Sequence, residues 1–207
     1  MKIQRMLALL LVGGSLMFLS ACNTVGTRFT PPDLDKLEFG KMQPADAVAL
    51  FGKPASTWIN TDADGNFVVY KYSYGAAGFS TFQWRVLLLE FKNGKLNAYY
   101  WWSSFIQDKT KFDPSVEDKL RAGTGKLTKD DVVDMVGKPN AKGFCPSMIE
   151  EFKGRCAKNT EVWGWIMPGD INLWIQKDIK ASRLFVTFDA SGKVSDVDTE
   201  ESTTPNR

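Results

Sequence analysis

Residues 40–54 read GKMQPADAVALFGKP, and residues 125–139 read GKLTKDDVVDMVGKP. The two stretches share length, opening and ending at an offset of 85 positions. In the second, Thr128 is a good helix N-cap, because its hydroxyl can accept from an N–H that the first turn leaves without a partner. Asp131 can reach back to complete a capping box, and Leu127 and Val132 are spaced for a hydrophobic staple. Val132, Val133, Met135 and Val136 supply an apolar side. Gly137 can take the left-handed conformation that ends a helix, and Pro139 prevents continuation. The first copy follows the same plan with other residues. Pro44 sits at the first helical position, where its missing N–H costs nothing, and Asp46 favours the positive helix start. Val48, Leu50 and Phe51 form the apolar side, and Gly52 and Pro54 stop it. The stretch is a short, tightly punctuated helix that the chain carries twice.

The surroundings repeat as well. A candidate short helix precedes each copy, over 33–39 and over 113–122, the latter opened by Asp113-Pro114. Strand-like runs follow each copy: 56–60, 67–74, 84–91 and 95–103 in the first half, and 161–167, 171–176, 183–188 and 193–199 in the second. Tyr70-Lys71-Tyr72 is echoed by Trp163-Gly164-Trp165, and Asn93-Gly94 between two runs is a strong hairpin signal. The predicted fold is α+β: two tandem helix–helix–antiparallel-sheet repeats, over 33–105 and 113–200, with the helices on one face of the sheet. Residues 201–207 read as a polar tail.

This order resembles the SmpA/OmlA (BamE-like) outer-membrane lipoproteins. The matching positions are Gly40, Gln43, Asp46, Gly52 and Pro54, then Gly125, Thr128, Asp131, Gly137 and Pro139. Two such units in tandem also resemble the β-lactamase inhibitory protein fold. The family usually has one unit behind its lipid, whereas this chain has two. The matched residues cap and stop helices, so the resemblance carries over no catalytic or binding residue.

The ends agree with export. Lys2 and Arg5 precede an apolar run over 7–18, which leads to Leu19-Ser20-Ala21-Cys22. A basic start, a short apolar core and small residues before a cut describe a secretory signal over 1–21. The LSAC ending resembles a bacterial lipobox, which implies that Cys22 becomes the lipidated first residue of a tether over 22–32. Asn23, rather than Asp, favours the outer membrane. Removing the signal takes two of the 26 basic residues and none of the 24 acidic ones, so the mature charge is balanced. A balanced surface exerts no long-range pull on nucleic acid. The two remaining cysteines, Cys145 and Cys156, are close in an exported chain and read as a disulfide.

The sequence argues against most chemistry. It contains no histidine, which removes Ser-His and Cys-His nucleophiles and the commonest metal ligand. AGTGKLT resembles a phosphate-loop tail, but Leu120 stands where its first glycine belongs and Leu127 where Ser or Thr should follow the lysine. NTDADGNFVVYK has calcium-loop spacing at Asp62, Asp64 and Gly65, yet ends in Lys71 where a bidentate Glu is required. No cofactor and no metal are expected.

The remaining signal is aromatic. In Tyr99-Tyr100-Trp101-Trp102 one ring of each adjacent pair must point away from the helices. Strand rings can pack the core or grip a partner. The candidate partner-binding residues are Tyr70, Tyr72, Trp101, Trp163 and Trp165. The expected function is a non-enzymatic binding or scaffolding lipoprotein, facing the periplasm from the outer membrane. Its partners are the membrane, through the lipid, and another envelope protein. The alternatives are an inhibitor of an exported enzyme, by fold analogy, or a hydrolase of envelope polymers working through carboxylates.

Overall fold

A computed structural model describes residues 24–77, 82–108, 110–168 and 179–204. The signal segment, Cys22 and the strand expected at 171–176 lie outside them. The fold is α+β, built on one nine-stranded antiparallel sheet: β1 Thr24–Gly26, β2 Ser56–Asp62, β3 Gly65–Ala77, β4 Phe82–Lys92, β5 Lys95–Ser103, β6 Ala141–Phe144, β7 Glu161–Met167, β8 Ile179–Phe188 and β9 Val194–Thr204. From β3 to β9 the strands neighbour one another in chain order, and β1 and β2 share the outer edge of β3. The helices are α1 Pro44–Phe51, α2 Val116–Ala122 and α3 Lys129–Val136. The helix expected over 33–39 is only a 3₁₀ turn, Leu34–Lys36. β9 runs to Thr204, so residues 201–204 belong to a strand and not to a tail.

The helix signals act as their chemistry requires. The Thr128 N–H donates to Asp131 Oδ2 at 2.8 Å and the Asp131 N–H donates to Thr128 Oγ1 at 3.3 Å. At α1 the Gln43 N–H donates to Asp46 Oδ2 at 2.8 Å. Gly52 and Gly137 end their helices at φ 80° and 87°, a conformation costly for other residues. The lead into each helix is pinned to a strand start. The Gly40 N–H donates to Leu96 O and the Leu96 N–H to Met42 O; likewise the Gly125 N–H donates to Val194 O and the Val194 N–H to Leu127 O. Register shifts fall at Glu90/Phe91 between β4 and β5 and at Thr187/Phe188 between β8 and β9.

One face of β3–β5 carries Tyr72, Leu87, Leu89, Tyr99 and Trp101, covered by Phe29, Met42 and α1's Ala47. In β7–β9, Trp163, Trp165, Leu184, Val186 and Val197 pack under Val116, Leu120 and Val132 of α2 and α3. Between these regions β6 is only four residues long, and Asn140 fills the gap. Its carbonyl accepts from the Trp101 N–H at 2.8 Å, while its side chain bonds both the Ile166 N–H, at 2.8 Å, and the Ile166 carbonyl, at 3.0 Å. A side-chain amide thus stands in for the missing strand backbone.

Candidate functional site

The aromatic residues singled out in the sequence do not form a surface. Tyr72, Trp101, Trp163 and Trp165 are buried, and Tyr70 is half-buried against the same core as Tyr72. The reason is strand alternation: these positions share the pleat that faces the helices, so their rings make the core. Trp163 is further tied down, donating from its indole to Glu161 at 2.6 Å with Lys142 over its ring at 4.2 Å. Burial lowers the Lys142 pKa.

The opposite face differs between the two halves. Over β5–β8 it is sealed by the segment joining β6 to β7. The expected Cys145–Cys156 bridge is present, with Cα atoms 5.2 Å apart. Ile149 and Phe152 from this segment pack on Ala98, Tyr100, Val162, Ile166 and Phe185. Gly143 makes room for it, since an added Cβ there would lie 2.8 Å from the Phe152 ring. Arg155 stacks on Phe185 at 4.0 Å and pairs with Asp198 at 2.7 Å and with Glu200.

Over β2–β5 the same face stays open as a groove of about 840 Å³. Its floor is Phe67 and Val69 of β3, Val86 and Leu88 of β4, and Tyr100 and Trp102 of β5. Trp58 of β2, 50% exposed, forms one wall, and Met148–Glu151 of the bridged segment form the other. Lys71, Glu150, Glu151 and Arg183 add charge of both signs. The acidic turn that mimicked a calcium loop is the β2–β3 connection, where the Asp64 N–H donates to Asp62 Oδ1 at 2.9 Å. Among the described residues, no group of three His, Cys, Asp or Glu is arranged to hold a metal, and no helix is long and apolar enough to cross a membrane.

Glu90 holds the Met148–Glu151 wall. Its fully buried carboxylate accepts from Asn97 Nδ2 at 2.6 Å, Ser147 Oγ at 2.9 Å and the Met148 N–H at 2.5 Å. Asn97 Nδ2 also reaches the carbonyls of Phe144 and Pro146. Burial raises the Glu90 pKa, and the hydrogen bonds donated to it only partly offset this. Of the groove residues, Trp102 and Tyr100 were implied by the paired rings of β5. Trp58, Met148 and Glu90 carried no distinguishing signal, because their roles arise from contacts distant in sequence.

No protein-family model matches the chain, and no curated protein matches it. Among solved structures it is similar to one described as "putative beta-lactamase inhibitor protein from STREPTOCOCCUS MUTANS", with a TM-score of 0.46 and 10% identity over 80% of this chain and 91% of that one. A likeness of that degree does not bear on function.

Proposed function

We propose that the protein is a lipid-anchored outer-membrane protein that faces the periplasm, binds another envelope protein in the groove and catalyses no reaction. The observation that carries this reading is the open apolar groove, with Trp58 half-exposed on its wall and Trp102 in its floor. An exposed apolar patch with a charged rim is the usual mark of an interaction site, and Trp and Tyr are its usual anchors. The carboxylates of the wall, Glu150 and Glu151, are neighbours on one 3₁₀ turn, and Glu90 is sealed by its three donors. They shape a wall; they do not face each other across a cleft as the two carboxylates of a glycosidase do. Anchoring rests on the LSAC motif and Cys22. We read the two halves as a duplicated unit, supported by the matching caps, the matching bonds from Gly40 and Gly125, and the matching register shifts.

A photo-crosslinking residue at Trp58 in intact cells should trap one envelope protein. Trp58→Ala with Trp102→Ala should then weaken capture by roughly a thousandfold, if each anchor is worth ~2 kcal/mol. Unchanged capture by the folded double variant would sink the groove as the binding site. Loss of a measurable turnover in Glu150→Gln or Glu151→Gln would favour the hydrolase.

A further inference from the structure

One end of the sheet exposes apolar side chains beyond the groove. β3 ends there at Ala77 and β4 begins at Phe82, while β1 pairs Thr24 with Ala76 and Val25 with Gly75. Phe82 and Trp84 are half-buried with ring centroids 5.7 Å apart, and the Trp84 ring covers Gly75, where an added Cβ would lie 2.2 Å from it. Val25 is 56% exposed and Ile106 is 78% exposed. Ile106 belongs to this end because the Ser104 N–H donates to the Trp84 carbonyl at 2.8 Å and Phe105 stacks on Tyr74. On the groove face, Trp84 and Phe82 continue the line of Leu88 and Val86 along β4.

The chain says what this end meets. Cys22 precedes Thr24 by two residues, and steps of ~3.8 Å keep the two Cα atoms within about 8 Å. We infer that this end of the sheet rests on the bilayer, with Val25, Ile106, Phe82 and Trp84 seated at the boundary between headgroups and acyl chains. The inference rests on the reading of Cys22 as lipidated. An acyl anchor two residues from β1 holds this end at the surface. Trp, Phe and aliphatic side chains settle in that interfacial layer. The opposite end, at the β2–β3 turn and Asn93-Gly94, is the 13-residue length of β3 away. That is on the order of 40 Å at ~3.3 Å per residue, well clear of the lipid.

The test uses the mature acylated protein in phosphatidylethanolamine vesicles containing tail-spin-labelled lipid. With Cys145 and Cys156 paired and Cys22 acylated, a single new thiol takes an environment-sensitive fluorophore, at Ile106→Cys or, as the distant control, at Asp64→Cys. Both positions are exposed, so neither label disturbs the core. Seated ~5–10 Å into the interface, the label at 106 should shift to the blue and lose about half or more of its emission, with no change at 64. Equal accessibility of both labels to aqueous iodide, with the protein still on the vesicles, overturns the docking and leaves the anchor standing. An unacylated Cys22 by mass spectrometry, with release from the vesicles, overturns both.

Discussion

Replacing Glu90 tests how the groove wall is held. Alanine there removes the acceptor for Ser147 Oγ and the Met148 N–H, while Asn97 keeps the carbonyls of Phe144 and Pro146. Two orphaned buried donors at ~1–3 kcal/mol each give a loss of about 2–6 kcal/mol. For a chain of this size each 1 kcal/mol moves Tm by ~2–4 °C, so Glu90→Ala should lower Tm by roughly 4–24 °C. Glu90→Gln separates charge from packing. Burial raises the folded-state pKa of Glu90. Its contribution is therefore fully present below the unfolded pKa of ~4.3 and declines as pH rises toward the folded value, because the folded state resists ionisation. Asp131, Asp189 and Glu200 are shifted down and act in the opposite sense. The wild-type slope is therefore a mixture, and the difference between wild type and Glu90→Gln isolates Glu90. The assay is urea unfolding of the oxidised mature chain between pH 4 and pH 8. Wild type should lose stability relative to Glu90→Gln as pH rises, by ~1.4 kcal/mol per unit of pKa shift. Parallel pH profiles, or an alanine variant within 1 kcal/mol of wild type, would refute the account.

Three further outcomes follow from the same contacts. Asn140→Ala leaves the Ile166 N–H and carbonyl without their partners and should cost about 2–6 kcal/mol in urea unfolding; a cost below 1 kcal/mol would mean the β5–β7 gap closes without it. Replacing Cys145 and Cys156 by serine opens a loop with a sequence separation of 11 and should cost about 2–4 kcal/mol, with earlier proteolysis at Met148–Glu151 than elsewhere. Thr128→Ala removes a helix cap and should cost ~1 kcal/mol at neutral pH. The Thr128 backbone N–H, and after it the Thr128 hydroxyl, hold the Asp131 pKa low, a contribution lost as pH falls through the carboxyl range; the variant keeps the backbone bond and loses the hydroxyl's, so its acid slope should be only somewhat shallower.

The elements were largely legible because their signals are local. The Thr128 cap, the Gly137 stop and the Asn93-Gly94 turn each need only a few neighbouring residues, and the turn's positive φ values, 51° and 77°, suit the primed turn that such a pair favours. β5 and β7 keep the limits expected for them. β6 was missed because Ala141–Phe144 is short and includes Gly143, which follows no strand preference and is explained only by the Phe152 ring above it. The aromatic anchors were placed on the wrong face for a related reason. Alternation shows that Tyr70 and Tyr72 share a face, but not which face the helices cover.

What decides the open face is a difference between connections. β2 and β3 are joined by the turn Ala63-Asp64, whereas β6 and β7 are joined by residues 145–160. The longer connection folds back over its own half, pinned by the disulfide, by Phe152 and by Arg155 on Phe185. It converts that half's second sheet face into core. Among the described residues no such segment covers the first half, so Phe67, Val69, Val86 and Leu88 floor a groove instead. The edge of the cover supplies the groove's second wall, latched by Glu90 at the register shift of β4. The register shift between β8 and β9 falls at Thr187, whose carbonyl accepts from Ser195 Oγ at 3.1 Å. A buried carboxylate is costly, and here its oxygens accept two donors from the wall. If the wall served only to fill space, an apolar residue at position 90 would hold it at lower cost. A carboxylate makes sense where the position of Met148–Glu151 must be specified, which is what a binding groove demands of its wall.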